Sequence, residues 1–206
     1  MSDGTREILI AAALSLFAEE GIDAPSLRAI NRAAGQRNTN ALQYHFGDRD
    51  GLLRQALEDR GAVVDASRSA LLNELEPDAS VRDLAVALVH PLADQLGNVG
   101  RDYLLVADEV LARPMRFGAL YPLVVERPSL VDWATRIEPH MPEGAVGRPL
   151  HRRFAAIRFV HGELANRARN NRGRSGVALF SSHLVDLTAA MVVAPVSPET
   201  EALIRR

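Results

Sequence analysis

SLRAINRAAGQRNTNALQYHFGDRDGL, residues 26–52, is the stretch that decides the fold. Ser26 stands where a helix needs an N-cap, because its hydroxyl can accept from a free N–H of the first turn. Leu27 and Ile30 then fall on one side of a short helix, and Ala34-Gly35 breaks it. The spacing predicts a third short helix over 39–46 that turns Ala41, Leu42 and Phe46 inward. Gly47 stops that helix, and Asp48 caps a longer fourth one running through Leu52, Leu53, Ala56 and Leu57. Upstream, Thr5 to Glu20 reads as a first helix with Leu9, Ala13, Leu16 and Phe17 on one face, ended by Gly21. Three short helices within about 45 residues, with a tight glycine turn between the second and third, make a helix-turn-helix.

Such a unit holds one helix out from an apolar support so that its far face can enter a DNA major groove. That face must be polar, and here it is Arg37-Asn38-Thr39-Asn40 followed by Gln43. Asn and Gln can pair bidentately with adenine, and Arg with guanine. Asn38, Thr39 and Asn40 equally suit cap and turn positions. Tyr44, His45 and Arg49 sit at the far end, where phosphate contacts or packing would occupy them. The N-terminus of the fourth helix favours a phosphate there too. The formal net charge is −2, so the total does not announce a nucleic-acid binder, but the distribution does. From Leu27 to Gly47 there are three arginines, Arg28, Arg32 and Arg37, and no acid; Glu19, Glu20, Asp23, Glu58 and Asp59 lie outside. All 24 basic residues are Arg, which is the usage of a GC-rich genome.

The remainder reads as helices near 80–97, 101–113, 116–126, 129–138, 148–172 and 176–193, with Pro91 expected to kink the first and 138–149 expected to be a loop. No β-alternation persists. The fold class is therefore all-α, a three-helix N-terminal unit over 1–60 and a larger helical unit over 61–206, with the boundary inside the fourth helix. The Arg-rich run Arg167, Arg169, Arg172, Arg174 reads as a solvated helix end, where cations face the negative end of the dipole.

Residues 5–57 resemble the N-terminal signature of TetR-family regulators. The resemblance is carried by Ile8, Ala12, Leu16, Phe17 and Gly21, by Ser26, Arg28, Ile30, Ala34 and Gly35, and by Leu42-Gln43-Tyr44-His45-Phe46-Gly47-Asp48-Arg49-Asp50-Gly51-Leu52. The segment Gln36 to Asn40 is one residue longer than the common pattern, which shifts the start of the recognition helix. Asn31 stands where a small apolar residue is usual, to hydrogen-bond at the edge of the motif or to touch DNA. The resemblance implies a homodimer, paired through the last two long helices, that binds a double-stranded DNA operator as a ligand-responsive regulator. Residues 154–168 and 177–191 carry compatible apolar faces, with Ile157 and Leu184 expected at the interface. A small, partly apolar effector would meet side chains among His90, Tyr103, Phe117, Tyr121, Trp133 and His161.

A helical enzyme and an adaptor without DNA binding are the rival classes. The chain has no His-Glu-x-x-His, Gly-x-Ser-x-Gly or Walker motif, and its six histidines show no metal-ligand spacing. No catalytic residue, cofactor or metal is expected. An adaptor would have no need of the polar face from Arg37 to Gln43. With no cysteine, no signal-like N-terminus and no long uncharged apolar run, the expectation is a cytoplasmic protein without membrane attachment.

Overall fold

The structure is a computed structural model that describes residues 3–36, 42, 46–97, 99–170 and 176–205. Helix α1 (Asp3–Glu20) ends at Gly21, whose φ of +85° is in the left-handed region that a side chain disfavours. Helix α2 (Leu27–Ala33) starts on Ser26, whose hydroxyl accepts from Ala29 N–H at 3.2 Å. Leu42 is helical and fully buried, and Phe46 is helical and half-buried. At Gly47 φ is +73°, and the Asp48 carboxylate accepts from Gly51 N–H at 2.7 Å to open α3 (Arg49–Glu74). The caps expected at Ser26 and Asp48 are the observed ones. Helix α3 runs unbroken through residue 60.

Beyond it come α4 (Val81–Ala93), α5 (Val99–Ala112), α6 (Tyr121–Val125) and α7 (Pro128–Ile137). A single 3-10 turn at Glu138–His140 precedes α8 (Glu143–Val146), and α9 (Arg152–Asn170), α10 (Val177–Val193) and α11 (Pro198–Ile204) follow. Ser80 and Asp83 form a reciprocal capping box at the start of α4, which continues through Pro91 to Ala93. The expected helix over 116–126 is shorter than its apolar pattern. Residues 114–120 are turns, because a helix continued through Pro122 would lose a bond there, whereas a helix that starts beside it loses nothing. The expected loop over 138–149 contains the 3-10 turn and α8, and α11 was not anticipated. Among the described residues there is no strand, and no single helix is long and apolar enough to cross a membrane.

Helix α1 packs on α3 and also on α5. With two long neighbours, α1 is buried over a wider arc than one face. Leu9, Ala13 and Phe17 are buried as expected, but so are Ile10 and Leu14, while Leu16 is half-buried. The N-terminal unit and the larger unit thus share one continuous apolar core. Helices α9 and α10 pack on α5 and α4 and on each other. The side chains expected to meet a second protomer are mostly spent on this core. Ile157 and Leu184 are each 2% exposed within one chain. Leu179, Leu187 and Val193 are the large apolar side chains that α10 leaves in solvent. A periodic apolar stripe tells that a face is covered, not which body covers it. At the Arg-rich end, Arg169 pairs with Asp108 at 2.8 Å and the Arg167 guanidinium lies 4.7 Å from the Phe180 ring centre. Arg172 and Arg174 lie outside the described residues.

Candidate nucleic-acid interface and effector core

The scaffold for a recognition helix is built from capped ends and a buried floor. Ile30, Leu42, Leu52 and Leu53 form that floor with Leu9, Ala13 and Phe17 of α1. Of the expected DNA contacts, Arg37, Asn38, Thr39, Asn40, Gln43, Tyr44 and His45 lie outside the described residues. Arg28 is exposed on α2, as a phosphate contact requires. Asn31 is 2% exposed, which withdraws it from any duplex, and neither polar atom of its side chain has a partner among the described residues.

Arg49 is turned toward the protein. Its Nη1 donates to the carbonyls of Ile22 (3.0 Å) and Asp23 (2.9 Å), and its Nε and Nη2 donate to Asp50. The same turn is held from the other unit. Ile22 N–H donates to Glu109 of α5 at 3.2 Å, Arg113 donates to the other oxygen of Glu109, and Arg116 donates to Asp23 at 2.8 Å. The Arg116 hydrogen bond is the main reason the Asp23 carboxyl is held below its ordinary range. A cleft of about 390 Å³ opens beside this joint, between Arg49, Arg54 and the Phe117–Leu120 turn. A second clamp grips α3 lower down. Arg127 donates to the carbonyls of Leu57 and Glu58 and to that of Leu123. Gly61 leaves the room, since a Cβ there would stand 2.3 Å from the Arg127 guanidinium.

The six expected effector contacts are not gathered in one pocket. Tyr103 (α5), Trp133 (α7) and His161 (α9) are buried in the central core. Trp133 donates its indole N–H to the Leu84 carbonyl at 2.8 Å. Phe117 is buried beside the joint between the units, and Tyr121 is half-buried against the core. His90 is exposed on α4 and lines a groove of about 720 Å³ with Val86, Ser181 and Val185. His161 Nδ1 lies 2.9 Å from the Ile157 carbonyl, which can only accept, so Nδ1 carries the proton. Burial lowers the His161 pKa to about 4, so the ring is neutral at pH 7.

Among these sits a charge that the local sequence around it disguises. Arg68 of α3 is 2% exposed. Its Nη1 donates to Ser129 Oγ at 3.2 Å, and that hydroxyl donates to Asp65 at 2.5 Å. Asp65 also accepts from Ser129 N–H at 3.0 Å, so it caps α7 from another helix. Arg68 Nε has no partner, and among the described residues no carboxylate is within ion-pairing distance of the guanidinium. Burial lowers its pKa to about 10, which leaves it charged at pH 7. The signal was available. Val64, Arg68 and Leu72 fall at i, i+4, i+8, so the arginine interrupts a buried apolar stripe.

Residues 9–56, less than half of the chain, match the family of bacterial regulatory proteins described as the tetR family. No curated protein matches the chain. The fold is similar to that of a candidate TetR-family transcriptional regulator from Rhodococcus sp., at TM-score 0.60 and 19% identity, covering 91% of this chain and 100% of that one. It is also similar to a transcriptional regulator from Rhodococcus sp. Rha1, at TM-score 0.55 and 20% identity, covering 94% and 99%. A third is a candidate transcriptional regulator from Streptomyces coelicolor A3(2), at TM-score 0.52 and 24% identity, covering 89% and 98%. The chain carries a TetR-type N-terminal region and has the all-helical fold of TetR-family regulators.

Proposed function

We propose that this protein is a non-enzymatic repressor that binds a palindromic DNA operator as a homodimer and releases it when a small molecule enters the larger helical unit. The observation that carries the reading is the capped scaffold of residues 9–56, fastened through Ile22 and Asp23 to α5 and the turn that follows it. Arg28, Tyr44 and His45 serve phosphates in this reading, and Arg37 to Asn40 with Gln43 read bases. Arg49 acts by position, holding the turn between α1 and α2.

The regulation is linkage between two sites. An effector that alters α3 or α5 alters the turn at Ile22, and with it the spacing of two recognition helices that must match half-sites about one DNA turn apart. Leu179, Leu187 and Val193 are the apolar surface available for pairing through α10.

The test is fluorescence anisotropy on the inverted repeat nearest the gene, with sedimentation in parallel. Wild type is expected to be a dimer at micromolar concentration and to prefer the repeat over random duplex by at least about 10³-fold at moderate salt. Leu187→Glu is expected to sediment as a folded monomer and lose that preference. Equal affinity for repeat and random duplex sinks the operator reading. A monomer that still binds the repeat tightly sinks the dimer.

A further inference from the structure

We propose that the Nε–Nη2 edge of Arg68 is the docking point for the carboxylate of an effector with an apolar body. This rests on the effector-responsive reading above and supplies the chemical class that reading lacks. A buried cation is costly unless it is paired, and arginine is almost never fully buried alone. Arg68 has one hydrogen bond, through Nη1, and it goes to a neutral hydroxyl. The opposite edge presents two parallel N–H groups, the fork that takes both oxygens of a carboxylate, and it has no protein acceptor among the described residues.

Arg127 shows what a purely structural arginine looks like beside the same helix. It donates to three carbonyls. Arg68 is more deeply buried and less satisfied. Its charge acts on Tyr103, where it opposes the larger, burial-driven rise of the phenol pKa, and it adds to burial in keeping His161 neutral. Tyr103 is buried on α5 within the field of the same charge.

The neighbours of Arg68 select the rest of the molecule. Val64 and Leu72 lie about one turn on either side of Arg68, and Trp133 about one turn beyond Ser129; all three are buried. The Asp65 carboxylate, one hydroxyl away through Ser129, already offsets part of the Arg68 charge, so a monoanion is accommodated where a phosphate would bring excess charge into the same low-dielectric space. At 2% exposure Arg68 takes a ligand only if the helices packed around it shift, α3 itself among them. Ligand entry therefore moves α3, whose other end carries the helix-turn-helix.

Thermal melts and calorimetric titrations of the full chain test this with octanoate, its methyl ester and inorganic phosphate, on wild type, Arg68→Met and Arg68→Lys. Octanoate at a hundredfold excess over Kd is expected to raise the wild-type Tm by at least about 5 °C. The ester and phosphate are expected to leave it unchanged. Both variants are expected to bind octanoate at least tenfold more weakly. Free Arg68→Met is expected to melt at or above wild type, because an apolar chain replaces an under-paired charge. No octanoate shift in wild type, an equal shift by the ester, undiminished binding by Arg68→Lys, or a clearly lower melt for free Arg68→Met overturns the proposal. Operator binding measured on the same samples separates the two readings. Specific DNA binding with no octanoate response leaves the regulator and removes the anion site. Octanoate binding that depends on Arg68, in protein indifferent to DNA sequence, does the reverse.

Discussion

The two halves of α3 hold their arginines in opposite ways. In the first half Arg49 is partly exposed, yet its guanidinium nitrogens reach carbonyls or a carboxylate. In the second half Arg68 is buried, yet it has one neutral acceptor. Burial normally raises the demand for partners, so this order is inverted. The satisfied arginine fixes a geometry, the turn before α2. The unsatisfied one retains the capacity to bind. One continuous helix therefore joins a part of the molecule that is over-determined to a part that is poised.

The largest effect expected concerns the poised half and is read by pH. Buried His161 has a folded pKa of about 4 against an ordinary 6.5. The unfolded chain therefore takes up the proton first as pH falls. This stability is fully present above pH 6.5 and is lost as pH drops to 4, by about 3 kcal/mol. Arg68 and Asp108 act on the ring with opposite signs, the first lowering and the second raising. Denaturant unfolding of wild type and His161→Leu across that window checks it. Wild type should lose stability relative to His161→Leu on acidification, and a constant difference would mean that the ring is not held neutral by burial.

Arg49→Ala tests the over-determined half. Loss of two charge-assisted bonds to Ile22 and Asp23 is expected to cost about 2 kcal/mol in equilibrium unfolding. The salt slope of DNA binding should stay the same. A slope reduced by about one would return Arg49 to the phosphates and break the contrast between the two halves of α3. The smallest effect belongs to the junction. Gly61→Ala gains about 1 kcal/mol of helix propensity but displaces the Arg127 guanidinium from the Leu57 and Glu58 carbonyls, for a net loss of about 1 kcal/mol. A gain in stability would show that the clamp contributes nothing.

What was legible in the sequence follows from range. Caps and stops act over three or four residues, so Ser26, Asp48, Gly21 and Gly47 could be read directly and are where the structure has them. Burial on two sides depends on distant helices, so the burial of Ile10 and Leu14 beside the expected face was not readable from α1 alone. The same limit put Ile157 and Leu184 at an interface when their own chain covers them. Arg68 was lost for another reason. Flanked by Ser67 and Ser69 it reads as a solvated run, and only its register with Val64 and Leu72 marks it. Arg49 was visible as a cation near the expected phosphates, but the carbonyls of Ile22 and Asp23 that claim it are 27 and 26 residues away.

The sharing of α1 between α3 and α5 bears on how such a protein could be recombined. A chimaera joined at residue 60 would graft the first unit onto a foreign body and set the α5-facing side of α1 against an unmatched surface. It would also strand the Ile22 amide without Glu109. A swap that respects this molecule has to carry the α5 face along with the N-terminal unit. The two units are better treated as one inherited piece than as exchangeable cassettes.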